Sequence, residues 1–408
     1  MHMFLIVGQN FSALRSKIVE NGDDYVLLQD KKTTKHPKKR FKRRIFADFS
    51  SKEALLKTVL PLKGKIDGVV CMYENYVLPT AWITEALDLP GLPVQSAEAC
   101  TDKQLMRQLF AKSPDRISVD FAEVHSEEDV LNFAKHHDFP LVLKPANLVK
   151  SLLISKNHSA AELQTNYRKM LDSLERTYQK YAPDRTPKVI IEEFIEGSVH
   201  SVDAFVDSTG RPYIIDGIVD YQTGYDIGFE DNFHYSRLLP SSLSDSDKKA
   251  LMDCAEQGVR ALGMKNSPAH IEIIMSKHGP RIVEIGARNG GYRERMYRFA
   301  HDIDVLQNTL KLALGEKPTI SIKHNEPCAV LELFPRTPGT FRELSQAQAL
   351  SQLPALEYLR IRAVPGDHIG KSSDGYKAAA IVILHHHDAH QFHKDLDFVN
   401  EQVAVLTD

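Results

Sequence analysis

Cysteine is scarce: four residues in a chain of 408, far apart at Cys71, Cys100, Cys254 and Cys328. None has the close spacing of a zinc or disulfide framework, so all four read as buried thiols in a reducing compartment. Long apolar runs are missing as well. A membrane helix needs about 18 or more consecutive apolar residues, and no run here reaches that length. The opening "MHMFLIVGQN" is too short for a secretory signal. Nor is there an excess of one charge. The net value is −3, which excludes a whole-chain field that would draw nucleic acid or an anionic membrane. Internal repeats and low-complexity linkers are also lacking. The expectation is a cytoplasmic globular protein with no nucleic-acid or membrane partner.

Such a length exceeds one ordinary core and implies two or three domains. "MFLIVG", "YVLLQD", "IDGVVCMYE" and "GLPV" read as strands, with "LPTAWITEAL" as a helix among them. Strands alternating with helices predict a parallel sheet ending near residue 98. "ACTDKQLMRQLFAKS" then reads as a helix with Thr101 and Gln104 spaced as a capping box. Shorter strands follow: "ISVDFAEV", "PLVLKPA", "SLLISKN" and "KVIIEEFI". "SVDAFVDSTGRPYIIDGIVDY" has the alternation of a hairpin turning at Ser208–Gly210.

The stretch "HIEIIMSKHGPRIVEIGARNGG" places Glu272 and Glu284 inside two strand-like arms. With period two, Glu272 shares a face with Ile274. If Lys277–Gly279 closes a three-residue hairpin loop, Glu272 stands directly opposite Glu284. Like charges across a strand pair are destabilising, and carboxylates are costly in a half-buried sheet. A hard divalent cation offsets both penalties, because carboxylate oxygens are its preferred ligands. Two solvated glutamates on an exposed face is the competing interpretation.

The surrounding order of motifs resembles the ATP-grasp superfamily, in its carboxylate–amine ligase branch of amino-acid and dipeptide ligases. "LVLKPA" puts a lysine at a strand exit, "VIIEEFIEG" supplies a hinge, and the acid–hairpin–acid unit is followed by an arginine. The resemblance covers roughly residues 100–320. It implies an α/β and α+β fold: a Rossmann-like parallel-sheet domain over 1–98, an ATP-grasp domain over 99–324 and a C-terminal subdomain over 325–408. Within the central domain it implies a lid of about 113–195 and an antiparallel core of about 196–324.

Residue by residue, the resemblance implies the following. Lys103 is the first nucleotide-contacting lysine and Lys144 the second, at the α- and β-phosphates, with Ser151 in the phosphate loop. Glu192, Glu193 and Ile195 line the adenine, His200 contacts ribose or phosphate, and Ile274 packs beneath the base. Glu272 and Glu284 hold Mg2+, with Mn2+ able to substitute. His234, Arg237, Gly290 and Gly291 face the substrates, and Arg288 is the catalytic arginine at the transferring phosphoryl group. Two features depart from the family pattern: "ANLVKSLLIS" contains no glycine, and Gly286 stands where an asparagine often does.

The function implied is ATP-dependent joining of a carboxylate, an amino acid by preference, to an amine, with release of ADP and phosphate and with a homodimer as the assembly. A biotin-carboxylase-like carboxylase and a nucleotide-binding module without turnover are the competing functions. The basic run at 31–44 reads as a solvated loop, and "HHHDAHQFH" as a strand end entering a helix.

Overall fold

A computed structural model describes residues 1–31, 43–148, 152–182 and 185–408. Ser151 and most of the basic run lie outside the described residues. The N-terminal unit comprises β1 (Met3–Val7), α1 (Ser12–Glu20), β2 (Asp24–Asp30), β3 (Arg44–Ala47), α2 (Lys52–Val59), β4 (Gly68–Cys71) and α3 (Val77–Leu87). Its four strands are parallel, in the order β3-β2-β1-β4. β1 is apolar throughout because both faces are covered: Leu5 and Val7 join one apolar cluster, Phe4 and Ile6 another.

"GLPV" is not a strand. Val94 opens α4 (Val94–Thr101) directly behind Pro93, which has no N–H to give a ladder. The cap of α5 (Lys103–Phe110) is Asp102 rather than Thr101, its carboxylate accepting from the backbone N–H groups of Gln104 and Leu105. Thr101 instead donates back to the Ala97 carbonyl at 2.9 Å.

The stretch expected as the lid carries β5 (Phe121–Val124), α6 (Glu127–His136), β6 (Leu141–Pro145), β7 (Ser155–Asn157), α7 (Ala160–Tyr181) and β8 (Val189–Glu193), with strand order β5-β8-β6-β7. Alternation divides its sheet. Leu141, Leu143, Val189 and Ile191 pack against Val130, Phe133, Leu163 and Met170 of the two helices. Val142, Lys144, Ile190 and Glu192 therefore take the opposite face.

The core follows with β9 (Gly197–Val206), β10 (Pro212–Ile214), β11 (Val219–Thr223), β12 (His234–Leu239), α8 (Asp245–Ala261), β13 (Ser267–Ser276), β14 (Gly279–Gly286), α9 (Arg293–His301) and α10 (Val305–Ala313). The tail adds β15 (Cys328–Leu333), β16 (Gly339–Leu344), α11 (Ala347–Leu350), β17 (Leu356–Ile361), β18 (His368–Ile369), β19 (Ala380–His385), α12 (Ala389–Gln402) and β20 (Val405–Thr407). One sheet runs β14-β13-β9-β11-β12-β15-β19-β17, with β10 pairing β9. The core sheet thus does not stop at residue 324. β12 would present an open edge there, and β15 closes it, with Leu238 opposite Ala329. β16, β18 and β20 form a separate small sheet.

The β13–β14 turn has two residues, not three, because Ser276 pairs with Gly279, whose φ is +90°. A register shift beside Glu272 then restores Glu272 opposite Glu284. The bulge makes up for the shorter turn, so the expected pair forms by a different route.

Candidate active site

Directly paired residues in an antiparallel sheet share a face, so the register fixes what lies beside the carboxylates. Glu272 faces Glu284 on one side and Ser201 on the other. Val219 also pairs with Ser201, and Tyr221, two residues on, pairs with Arg237, which pairs with Val330. Period two then adds Ile274 and Glu332. Glu272, Tyr221, Arg237 and Glu332 consequently stand on one face of one sheet. The Ile274 side chain, beside Glu272, packs where β9 begins. A Cβ on Gly197 would lie 2.9 Å from it and 2.0 Å from the Met275 carbonyl oxygen, so only glycine allows that approach.

The sheet face away from α6 and α7 carries Lys144 and Glu192, and α5 adds Lys103 and Arg107. Lys144 Nζ meets Glu192 Oε2 at 2.6 Å, and Arg107 Nε meets Glu192 Oε1 at 2.9 Å. All three are buried, at 5%, 3% and 1% exposure for Lys144, Glu192 and Arg107. Burial pushes Lys144 down to about 8 despite the neighbouring carboxylate. Arg107 also donates to the Val283 carbonyl at 2.8 Å, tying α5 to β14. One turn before it, Lys103 pairs with Glu284 at 2.9 Å. Arg107 was not foreseen from sequence, although its place four residues after Lys103 on an amphipathic helix was the available signal.

Arg288, in the loop after β14, meets Glu74 at 2.9 Å. Glu74 follows β4 and was also not foreseen. Burial raises its carboxyl despite Arg288, and nearby Glu284 raises it further. A Cβ on Gly286 would lie 3.0 Å from Glu74 Oε2, so this carboxylate borders the space that a side chain at 286 would take. Glu74 Oε1 and Arg107 Nη1 are both buried without a hydrogen-bond partner. Such atoms are costly unless a ligand or water satisfies them.

At the far end His234 packs against Tyr221 with centroids 4.4 Å apart, and burial pushes it down to about 4. Arg237 lies over the Tyr221 and Tyr292 rings at 5.7 and 5.3 Å. Tyr292 adopts a left-handed φ of +64° and donates to Glu332 at 2.7 Å. A non-glycine residue held there is strained, a feature that concentrates at functional sites. Burial works to raise the Glu272 carboxyl, but His270, His234 and Arg288 outweigh it and hold it well below the usual range.

Several expected contacts are corrected. His200 lies on the opposite face, opposite Ile273 rather than Glu272. It bonds Asp220 at 2.7 Å and Ser198 at 2.6 Å, which occupies both ring nitrogens. Glu193 alternates away from Glu192 and binds Arg116 at 2.6 Å. Its oxygen lies near Asp120 and His137, which makes this the one convergence of three metal-capable groups among the described residues. Arg116 reaches both carboxylates there and supplies the compensating charge. Ile195 is half-buried in the connection between β8 and β9. Gly290 serves packing, since a Cβ would meet His270 Nδ1 at 2.5 Å, while Gly291 faces open space.

The residues present fit a hard divalent cation: two facing carboxylates, Glu272 beside His270 and Glu284 paired with Lys103. Among the described residues, Glu272 Oε2 has no hydrogen-bond or ion-pair partner.

Residues 137–294 match the family model of the ATP-grasp domain. An uncharacterized protein of Sinorhizobium fredii is 24% identical over 76% of this chain, and the alignment spans 62% of that protein. Alanine–anticapsin ligase of Bacillus subtilis is 27% identical over 55% of the chain and 49% of its own length. The chain thus spans only about half to three-fifths of these relatives. The crystal structure of L-amino acid ligase from Bacillus licheniformis superposes with a TM-score of 0.79 at 19% identity, covering 100% of this chain and 99% of that one. No helix among the described residues is long and apolar enough to cross a membrane. The centre of the chain, residues 137–294, thus matches an ATP-grasp domain, and the fold along its length is similar to that of the L-amino acid ligase.

Proposed function

We propose that this protein is an ATP-dependent carboxylate–amine ligase that activates an amino acid as an acyl phosphate and joins it to an amine. The observation carrying this is the Glu272–Glu284 pair on one sheet face, with Arg288 beyond it, Lys103 paired to Glu284, and the buried cations Arg107 and Lys144 sharing Glu192. Lys144 and Lys103 bind the nucleotide phosphates, Ile274 lies under the base, and Glu272 and Glu284 hold Mg2+. The cation supplies charge neutralisation at the phosphate oxygens. A substrate carboxylate oxygen attacks the γ-phosphorus and ADP leaves. The amine then attacks the acyl carbon, loses a proton and expels phosphate. Arg288 faces the charge that develops, as a planar donor suited to phosphate and carboxylate. Arg237 and His234 line the substrate end. The small-molecule ligase names among the relatives support this class of reaction. The domain limits near 98 and 324 are proposed as folding boundaries, with the core sheet shared across the second. Cytoplasmic location and a homodimer complete the proposal.

Calorimetry tests the nucleotide part. Wild type should bind ATP with Mg2+, and Lys144→Ala should bind at least about ten-fold more weakly, the loss of one well-placed charged hydrogen bond. Equal affinity would remove Lys144 from the site. Because burial lowers Lys144 to about 8 in the folded protein without nucleotide and a bound phosphate favours its charged form, binding at pH 8.5 should take up protons. The measured heat should then change with the ionisation enthalpy of the buffer, and Lys144→Ala should abolish that dependence.

A further inference from the structure

Beneath Glu272 lies a buried polar network that the ligase reading does not use. Asp203 of β9 pairs directly with His270 of β13. His270 Nδ1 donates to Asp203 Oδ1 at 2.8 Å, which leaves Nε2 facing Glu272 Oε1 at 3.6 Å. Asp203 Oδ2 is itself held by Arg293 Nε at 3.0 Å and the Tyr297 hydroxyl at 2.8 Å. Arg293 continues to Ser201 and Tyr221 at 2.8 and 2.7 Å. His270, Asp203 and Arg293 are all nearly sealed from solvent, at 4%, 5% and 1% exposure. A sheet face that needed only cohesion would gain more from apolar side chains than from ions that must each be desolvated. The network also excludes any side chain at 290, where a Cβ would press on the imidazole. It therefore fixes one imidazole in one orientation, aimed at one oxygen of one carboxylate.

We propose that Asp203 and His270 are positioning residues for the metal site: they hold Oε1 of Glu272 so that Oε2 alone is presented to the cation. This deepens the ligase reading and rests on it. Partners of this kind that orient a ligating side chain typically contribute about 10- to 100-fold in metal affinity. Glu284 is steadied differently, by Lys103 from the helix entering the central domain. The two carboxylates thus depend on separate supports, one from the core sheet and one from α5.

The test is the Mg2+ concentration needed for half-maximal ADP binding, measured by calorimetry on the full chain, with melting temperature recorded alongside. His270→Gln and Asp203→Asn should each raise that concentration about ten-fold or more and leave metal-free ADP binding unchanged. A network serving only the fold would lower the melting temperature without moving the Mg2+ requirement, and that result overturns the inference while leaving the ligase reading intact. Wild type whose ADP binding ignores Mg2+ overturns the ligase reading and this inference with it. If His270→Gln does not fold, Asp203→Asn carries the comparison alone. Loss of folding in both would overturn the inference, since the network would then serve the core.

Discussion

Arg288→Lys should leave ATP affinity nearly intact and lower turnover by about 100-fold or more, the scale for removing a positioned transition-state donor. Arg288 is anchored on one side, with Nε on Glu74 and Nη1 on the Asn289 carbonyl at 3.0 Å. Nη2 has no hydrogen-bond partner among the described residues. A guanidinium can thus hold Glu74 and still offer a donor to the cleft. An ammonium is a single point charge that must choose between them. The ion pair with Glu74 also admits a purely structural role, in which Arg288 fastens the loop after β14 to the N-terminal unit. That role predicts a lower melting temperature with turnover kept. Turnover, ATP affinity and melting temperature measured on one preparation separate the two. A destabilised Arg288→Lys enzyme with near-normal turnover would assign the arginine to the loop.

Glu192→Ala should destabilise the protein by about 3–5 kcal/mol, the cost of removing one partner from a buried ion cluster. It would leave Lys144 and Arg107 facing each other in a dry pocket with no anion between them. Urea unfolding followed through the lid reads the loss, and a change below about 1 kcal/mol would mean that water reaches the cluster freely. The pH dependence has a definite sign. Lys144 titrates near 8 when folded against 10.5 when free, so the folded state binds fewer protons between those values. The penalty of burying this lysine is present below 8 and is relieved as pH rises towards 10.5. Glu192→Ala removes the carboxylate that favours the charged lysine, so the lysine should titrate lower still.

The parallel N-terminal sheet, the lid strands and the glutamate pair were legible because they depend on local pattern: apolar runs, period two and turn residues. The Glu272–Glu284 pairing was read through a three-residue loop, and the fold reaches it through a shorter turn and a bulge. Sequence periodicity does not distinguish those routes, since both end in the same register. His200 illustrates the opposite case. Its place after the hinge suggested a nucleotide contact, but strand alternation puts it opposite Ile273, on the other side of the sheet from Glu272. Glu193, one residue from Glu192, likewise takes the other face of its sheet and pairs with Arg116. Glu74 lies 210 residues before Glu284 and acts only through tertiary contact, so no local signal marks it, whereas Arg107 is marked only by its place one helical turn after Lys103. α9 escaped notice because "RERMYRFAH" is mostly polar, and its buried arginine and histidine occupy places usually held by apolar residues.

ADP formation across a panel of amino acids, offered singly and in pairs with ATP and Mg2+, tests the ligase activity itself. ADP should form only when a carboxylate and an amine that fit the site are both present, with one ADP for each amide formed, and Arg288→Lys should release no ADP above about one-hundredth of the wild-type rate. ADP release that ignores every carboxylate and amine, or that requires bicarbonate and biotin instead, would contradict it.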